Sequence, residues 1–343
     1  MSLNIYQSKY GTSIDQTSHI QSKILAPWFD DGHFTKIVNS PFPTDTHYEE
    51  DLAQSDPLEG DELQLYEKRY HGAFNQSIGK LLHIQQWTRL DINYAVTRLA
   101  SFTRNPNKPA FLALEHLMQY LHSHLHEPIF YPSTFQQDLQ KITYQFSPKQ
   151  SATYELSSYP VFFSDSSFAN ILPNRRSMQS NCGLFNGVVT SWGTNIQTSI
   201  ASNSTDAEIR SIYTTTKKIV AFTHFLTSSA IQDICLQPIT LYGDNTSSIN
   251  IVRQNKISSR SRHLDIPVTY SYENLERQYF TLKHIDRKLN AADISTKSTS
   301  GPIVSRHWNF LRGLRFYPPA KTDHGRYLTT SNEALAHVQT NKR

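Results

Sequence analysis

The order of strand and helix signals between residues 154 and 298 limits the fold of this chain more than any other feature. Apolar, aromatic runs typical of strands occupy 161–169 and 183–192, and a polar, basic turn is predicted between them at 173–181. A third short strand ends near residue 200. Helix and strand signals then alternate, which gives the overall order β-β-β-α-β-α-α-β-α. This order predicts an α/β domain in which a five-stranded sheet packs against helices.

The first half has a different character. A short strand at Ile5 and Tyr6 and a turn at Gly11 precede a predicted helix over 16–29. The stretch 47–63 is acidic and polar, contains a proline and a glycine, and predicts a solvated loop. Apolar residues then recur at helical spacing, which predicts helices over 64–84, 91–102 and 109–123.

Length and composition bound the remaining possibilities. A chain of 343 residues forms one large domain or two ordinary ones, and 38% hydrophobic with 18% charged residues is typical of a folded protein. No run of about 18 apolar residues is present, so we expect no transmembrane helix. The amino terminus lacks the features of a signal peptide, and two cysteines are too few for a disulfide framework. We expect an intracellular, cytoplasmic protein.

Charge is divided unevenly along the chain. Residues 1–157 carry a net charge of −5, residues 158–300 carry +4, and the polar tail 301–343 carries +5. A basic second half has the sign expected of a surface that meets phosphate, although many proteins that bind no nucleic acid share it.

Four acids lie at the ends of predicted elements in the second half. Asp165 follows the apolar run 161–163 and Asp244 ends the fourth strand, whereas Glu208 and Asp293 lie in first turns of helices. Strand ends and helix starts from distant positions converge on one edge of such a sheet, which would bring these carboxylates together. Each acid alone is also an ordinary cap or turn residue.

A group of close carboxylates predicts bound cations, because like charges that near one another cannot all ionise unaided. Oxygen ligands of this kind suit Mg²⁺ or Mn²⁺. Two such ions, about 3.5–4 Å apart, can activate a water and stabilise the leaving oxygen of an in-line phosphoryl displacement.

These residues lie in motifs that resemble a known family. The segments FFSDSSFA, VVTSWGTNIQTSIASNSTDAE, LYGDNTSSINI, RSRHLDI and HIDRKLNAADISTK look like the ribonuclease H domain of copia-type LTR retrotransposon Pol polyproteins. The segment WTRLDINYAVTRLASFTRNPNKPAFLALEHLMQYL resembles the part that joins reverse transcriptase to ribonuclease H in that family.

The resemblance implies a domain order. Residues 1–45 correspond to the end of the polymerase palm and a thumb remnant, 46–63 to an acidic loop, and 64–150 to a helical connection region. Residues 154–300 correspond to a ribonuclease H-like domain, a mixed five-stranded sheet flanked by helices, and 301–343 to a basic polar tail. If the chain is part of a full polyprotein, the resemblance also implies a virus-like particle with access to the nucleus.

The resemblance further implies an activity, hydrolysis of the RNA strand of an RNA–DNA hybrid. The catalytic, metal-binding residues would be Asp165, Glu208, Asp244 and Asp293, holding two Mg²⁺ ions for which Mn²⁺ can substitute. Asp206 matches a common glutamate of the family that is not a ligand. Five residues are candidates to bind the substrate backbone, although each could equally be an ordinary solvent-exposed side chain: Arg175, Arg176, Arg260, Arg262 and His263.

The sequence departs from the family at Ser167 and Phe168, where Asp and Trp are common, and over 267–270, where a helix rich in Arg, Tyr and His is usual. A polymerase needs a Tyr/Phe-x-Asp-Asp hairpin, and the only Asp-Asp, at 30–31, corresponds to the thumb. We therefore expect a truncated open reading frame or a polyprotein fragment without polymerase activity. Its expected partners are the RNA–DNA hybrid and the missing polymerase half. We expect no association with a membrane.

Two other functions stay open on the sequence. One is a non-catalytic, nucleic-acid-binding relic or an accessory that needs the missing polymerase half. The other is a different two-metal nucleotidyl transferase, such as an integrase, although those enzymes typically use three acids and this chain offers four.

Overall fold

A computed structural model describes residues 3–28, 36–133, 140–147, 150–156, 160–228, 238–257 and 259–314. The strands are β1 (Asn4–Ser8), β2 (Gly11–Asp15), β3 (Ile129–Pro132), β4 (Gln140–Ser147), β5 (Gln150–Leu156), β6 (Val161–Ile171), β7 (Arg176–Phe185), β8 (Val188–Ile196), β9 (Ile239–Gly243) and β10 (Phe280–His284). The α-helices are α1 (Thr17–His19), α2 (Tyr48–Gln54), α3 (Gly60–Arg69), α4 (Phe74–Trp87), α5 (Asn93–Ala100), α6 (Lys108–Ser123), α7 (Ser204–Thr227), α8 (Thr246–Gln254), α9 (Asp265–Glu276) and α10 (Gly301–Leu311). Among the described helices, none has the length and apolar character that crossing a membrane requires.

A five-stranded sheet in the order β10-β9-β6-β7-β8 forms the second half. Short connections join β6, β7 and β8, which run antiparallel. Helical crossovers precede β9 and β10, and these two strands therefore run parallel to β6 and to each other. The mixed five-stranded sheet flanked by helices that the sequence predicts is confirmed.

The boundaries of the second strand were predicted wrongly. Residues 173–181 were expected to be a turn, but β7 begins at Arg176. The run 183–192 was expected to be one strand, but it spans the end of β7, a two-residue turn and the start of β8. Asn186 and Gly187 form that turn with φ values of 50° and 76°. Both positive values are what a type I′ hairpin turn requires, and Asn-Gly is its commonest sequence.

The amino-terminal strands pair with a strand from far along the chain. β1 and β2 form a hairpin, and β2 also pairs antiparallel with β3. A Cβ atom at Gly11 would collide with the backbone of Tyr131, so this close approach requires glycine. The prediction that 64–150 is helical is therefore wrong for β3 and for β4, which pairs with β5.

The acidic segment 46–63 was predicted to be a loop, and this is wrong for most of its length. Helix α2 occupies Tyr48–Gln54, with Glu49, Glu50 and Asp51 in its first turn, and α3 begins at Gly60. Acids in a first turn favour a helix through its dipole. The buried Leu52 attaches α2 to the core. Glu50 and Asp51 are exposed, whereas Glu49 turns inward and accepts hydrogen bonds from Tyr94 and Arg98.

The segment 301–343 was predicted to be a basic polar tail, but its first part is a packed helix. Helix α10 begins with Pro302 in its first turn and buries Trp308 and Leu311. The side chain of Arg312, which follows α10, is also buried. Residues 315–343 lie outside the described part of the chain.

The helical half and the sheet share their hydrophobic cores. The core of α4, α5 and α6 includes Ile171 and Met178 from the β6–β7 hairpin. One face of the sheet packs Phe163 against α10 and against Leu90 and Ile129 of the first half. The opposite face packs under α7 and α8. The acids at the end of the sheet are therefore positioned by both halves.

Candidate active site

Asp165 and Asp244 lie at the same edge of the sheet because β6 and β9 are parallel. The last paired residues of these two strands are Phe163 and Tyr242, whose rings stack with centroids 5.6 Å apart. Each acid lies two residues beyond that pair and points to the same face, since side chains alternate along a strand. The strand ends thus bring together two carboxylates that are distant in sequence.

Glu208 reaches the same edge from the start of α7. The side chain of Asn203 caps this helix by accepting a hydrogen bond from the Asp206 N–H at 2.9 Å. Glu208 lies one turn further and is buried against β6, where its Oε1 accepts bonds from the Ser166 N–H at 3.1 Å and the Ser166 hydroxyl at 2.8 Å. Ser166 thereby fixes the carboxylate next to Asp165.

The three carboxylates form a compact group. One oxygen each of Asp165, Glu208 and Asp244 lies within 4.8 Å of the other two. Within the described ranges, this is the only group of three or more acidic, histidine or cysteine side chains close enough to share a metal ion. Three oxygen donors at this separation match the ligand preference of hard divalent cations.

Burial and mutual repulsion raise the pKa values of all three acids. Burial, and after it the charges of Asp293 and Asp244, raise the pKa of Asp165 to about 7. Burial, followed by repulsion from Asp165 and Asp244, holds the pKa of Glu208 well above its ordinary value. Burial also raises the pKa of Asp244, although the charge of Arg287 opposes it. The group is short of positive charge, which a cation would supply.

Asp293, the fourth predicted ligand, lies beside the group but outside it. It is part of a short 3₁₀ helix, Ala291–Ser295, and is buried. Its charge raises the pKa of both Asp165 and Asp244, so it is close to each of them. Its Oδ1 forms an ion pair with the ammonium group of Lys297 one turn later.

Two polar residues of the same segment hold Asp165 in place, and sequence reasoning missed both. The hydroxyl of Thr296 donates to Asp165 Oδ2 at 2.5 Å. The amide of Asn290 donates to the Ser164 carbonyl at 2.9 Å and approaches Asp165 Oδ1 at 3.4 Å. Both side chains are fully buried. Their position in the motif that contains Asp293 could have indicated a role beside the acids, because buried polar side chains need hydrogen-bond partners.

Asp206 points away from the three acids. It accepts hydrogen bonds from the Ser202 N–H at 2.8 Å, Arg210 Nε at 2.5 Å and His263 Nε2 at 3.0 Å. Burial would raise the pKa of Asp206, but the bonds from Arg210, Ser202 and His263 lower it overall. Asp206 is therefore a paired structural acid, unlike Glu208 two residues later.

The predicted backbone-binding residues lie in two places. Arg175 and Arg176 are exposed at the tip of the β6–β7 hairpin. Asp165 pairs with Ser180, and Arg176 is four residues along β7 from Ser180, roughly 13 Å at about 3.3 Å per residue. Arg262 is exposed in the segment Ser259–Leu264, and the neighbouring His263 bonds to Asp206. The side chain of Arg260 lies outside the described part of the structure.

The sequence matches no family model, but several curated proteins are similar to it. A retrovirus-related Pol polyprotein from transposon TNT 1-94 of Nicotiana tabacum is 22% identical over 226 residues, which are 65% of this chain and 15% of that protein. The polyproteins of transposons RE1 and RE2 of Arabidopsis thaliana are 24% and 23% identical, over 65% and 71% of this chain and 14% and 15% of their own lengths. The chain is similar to copia-type Pol polyproteins. It spans about 15% of the length of these relatives.

Three solved ribonuclease H structures are similar to 40% of the chain. A ribonuclease H1 isolated from compost is 12% identical, with 93% of it covered and a TM-score of 0.32. The ribonuclease H domain of a Mycobacterium tuberculosis protein is 11% identical, with 90% covered and a TM-score of 0.30. The ribonuclease H1 of Halobacterium salinarum is 14% identical, with 92% covered and a TM-score of 0.27. At TM-scores this low, the assignment of the fold depends on the order and direction of the five strands.

Proposed function

We propose that this part of a retrotransposon polyprotein is a ribonuclease H that hydrolyses the RNA strand of RNA–DNA hybrids with the aid of two Mg²⁺ ions, for which Mn²⁺ can substitute. The observation that supports this most strongly is the group of three buried carboxylates, with an oxygen of each within 4.8 Å of the others. Asp293 is the fourth ligand in this proposal, and it exchanges its ion pair with Lys297 for a cation.

The donor set fits divalent cations. All the groups are carboxylates, their raised pKa values reflect unmet negative charge, and they lie on rigid strand and helix ends. When bound, two such ions would supply an activated water and stabilise the leaving oxygen of the phosphodiester.

The chain itself orients the ligands. Thr296 and Asn290 hold Asp165, and Ser166 holds Glu208. These carboxylates are therefore already oriented before cations or substrate bind, and little side-chain entropy is lost on binding. Selectivity for RNA is proposed to come from contacts with 2′-hydroxyl groups across the minor groove of the hybrid. The DNA strand would be held through its phosphates.

Polymerase activity is not part of the proposal. Asp30 and Asp31, the one Asp-Asp pair of the sequence, lie outside the described residues. In the described remainder, the group around Asp165 is the only candidate metal site of three or more ligands. The polymerase half of a reverse transcriptase is proposed as a partner that helps to position the hybrid.

Cleavage of an end-labelled RNA–DNA hybrid in Mg²⁺ and in Mn²⁺ tests the proposal, with RNA–RNA and DNA–DNA duplexes as controls. We expect cutting of the hybrid alone and loss of cutting in Asp244→Asn. Asp61→Asn, a matched change at an exposed position of α3, should cut like the wild type. Unchanged cleavage by Asp244→Asn would show that the two-metal assignment is wrong. Binding of the hybrid by a folded wild-type chain that cuts nothing would favour the non-catalytic relic.

A further inference from the structure

The segment 285–290, here called the basic loop, is attached at both ends to the strands that carry the acids. At its start, the N–H of Ile285 donates to the carbonyl of Gly243 at 2.9 Å, next to Asp244. At its end, the amide of Asn290 donates to the carbonyl of Ser164 at 2.9 Å, next to Asp165. The ends are buried and the four residues between them are exposed or partly exposed. The basic loop therefore borders the carboxylate group.

The exposed part of this border is rich in cations. Arg287 and Lys288 lie at the start of a 3₁₀ turn in the loop, and Lys283 lies just before the loop on β10; all three are exposed. The one acid of the loop, Asp286, uses its Oδ1 to accept a bond from the Lys288 N–H at 2.8 Å, so it caps the turn. The positive charge of Arg287 lowers the pKa of Asp244, so this cation acts on the acid group.

A phosphodiester that approaches a group of carboxylates meets like charge. Cations fixed beside the group offset that repulsion and hold the backbone in place, which is how proteins position nucleic acids independently of sequence. Three of the other candidates lie farther along the sheet or are already paired. Arg176 is four residues along β7 from Ser180, the residue paired with Asp165, which is roughly 13 Å, and Arg175 is one residue beyond it. His263 is hydrogen-bonded to Asp206.

We propose that the basic loop is the phosphate-binding surface of this site, and that Arg287 and Lys288 hold the nucleic-acid backbone beside the bond to be cut. This inference rests on the proposed function, since it takes an RNA–DNA hybrid as the ligand. The loop contributes binding and orientation, and the carboxylates contribute the chemistry. The anchored ends keep the two cations at a fixed separation from the acids.

Binding of a fluorescent RNA–DNA hybrid, measured by anisotropy over a range of salt concentrations, tests the loop without any cleavage. Each protein carries Glu208→Gln so that the hybrid stays intact in Mg²⁺. The test variant is Arg287→Gln/Lys288→Gln. The matched control is Lys68→Gln/Arg69→Gln, which removes the same two charges from the exposed end of α3. Circular dichroism confirms that both variants are folded.

We expect the loop variant to bind on the order of tenfold more weakly at 0.1 M salt. The slope of log affinity against log salt should fall by about 2, since each phosphate contact contributes roughly 0.9. The control variant should stay within about twofold of its parent. Equal weakening by both variants, or an unchanged slope in the loop variant, would overturn the proposal. A wild-type chain that binds the hybrid without cutting it would refute the nuclease function and leave this binding test interpretable.

Discussion

Two buried charged clusters of the protein are built in opposite ways. In the helical half, Arg89 and Asp91 form a paired cluster in which Arg89 Nη2 and Nε lie 2.7 and 2.9 Å from Asp91 oxygens. Tyr120 donates to the same carboxylate at 2.9 Å, and Arg89 Nη1 donates to the His124 carbonyl at 3.0 Å. At the end of the sheet, by contrast, Asp165 and its neighbours are carboxylates without a matching number of cations.

The pKa values report the same difference. Burial would lower the pKa of Arg89, but Asp91 raises it overall, so the guanidinium charge is kept. Burial and repulsion raise the pKa of Asp165, so its charge is disfavoured. A buried charge with its partner holds the fold together, whereas buried charges of one sign store unfavourable energy that a ligand can relieve. The first cluster therefore stabilises the fold, and the second has the charge imbalance that the proposed chemistry requires.

The largest expected effect is on catalysis. Asp165→Asn removes the carboxylate shared by the whole acid group while keeping its shape, and we expect hybrid cleavage to fall at least about 1,000-fold, equivalent to roughly 4 kcal/mol of transition-state stabilisation. Single-turnover cleavage in Mg²⁺ measures this. Asp91→Asn, compared at a temperature where it is folded, should cut at a rate within a few-fold of the wild type. Retained activity in Asp165→Asn would remove the distinction between the clusters.

The second effect is on stability, and it concerns the paired cluster. Asp91→Asn leaves Arg89 buried without its counter-charge, and we expect a loss of about 3–5 kcal/mol in the free energy of unfolding. Urea denaturation at pH 7 checks this value. Glu273→Gln breaks an exposed ion pair with Arg277 and should change the same free energy by less than about 1 kcal/mol. Similar losses in the two variants would contradict the role given to Asp91.

The third effect is a pH dependence that arises from the acid group. The pKa of Asp165 is about 7 in the folded chain and about 4 when unfolded, so between these values the unfolded state releases its proton first. Asp165 should therefore remove up to about 4 kcal/mol of stability from the metal-free protein as pH rises from 4 to 7. The buried His307 acts in the opposite direction, because burial lowers its pKa to about 3, so the test is the difference between two proteins. In urea denaturation in EDTA, stability should rise more steeply with pH in Asp165→Asn than in the wild type, and Mg²⁺ should remove this difference. Equal slopes in the two metal-free proteins would refute the assignment.

The smallest effect concerns Lys297, a cation beside the acid group. Lys297 pairs with Asp293 and lowers the pKa of Asp165 and Asp244. Lys297→Gln should slow cleavage about tenfold and shift the acidic limb of the pH–rate profile to higher pH. Lys297→Arg should retain the wild-type profile, because it keeps the charge. An identical shift in both variants would indicate a packing role instead.

The sheet was predictable because its signals are local. The apolar run of β6, the helix cap before Glu208 and the strand before Asp244 are each visible in a few residues. The hairpin at Asn186 and Gly187 was missed although its dipeptide is a strong turn signal, because the apolar run on both sides was taken as one strand. Helix α10 was missed because its burial depends on partners, such as Ile129, that are distant in sequence.

The candidate site was predictable in part for the same reason. Acids at element ends identified the residues that the structure brings together, Asp165, Glu208 and Asp244. The displacement of Asp293 from that group could not be read from the sequence, since it depends on a 3₁₀ turn and on the ion pair with Lys297. The roles of Asn290 and Thr296 depend on contacts across more than 120 residues.

Helix α10 has a consequence for synthesis of the protein on the ribosome. It packs Val304 into the helical core and Trp308 under the sheet, and the hydroxyl of Ser298, just before it, bonds to the carbonyl of Pro43. At about 5–20 residues per second, roughly 7–30 s separate translation of Asp165 from that of Leu311. During this interval the nascent chain contains Asp165 but not yet α10, which completes the core beside the sheet. Metal binding at the proposed site would therefore follow the synthesis of α10.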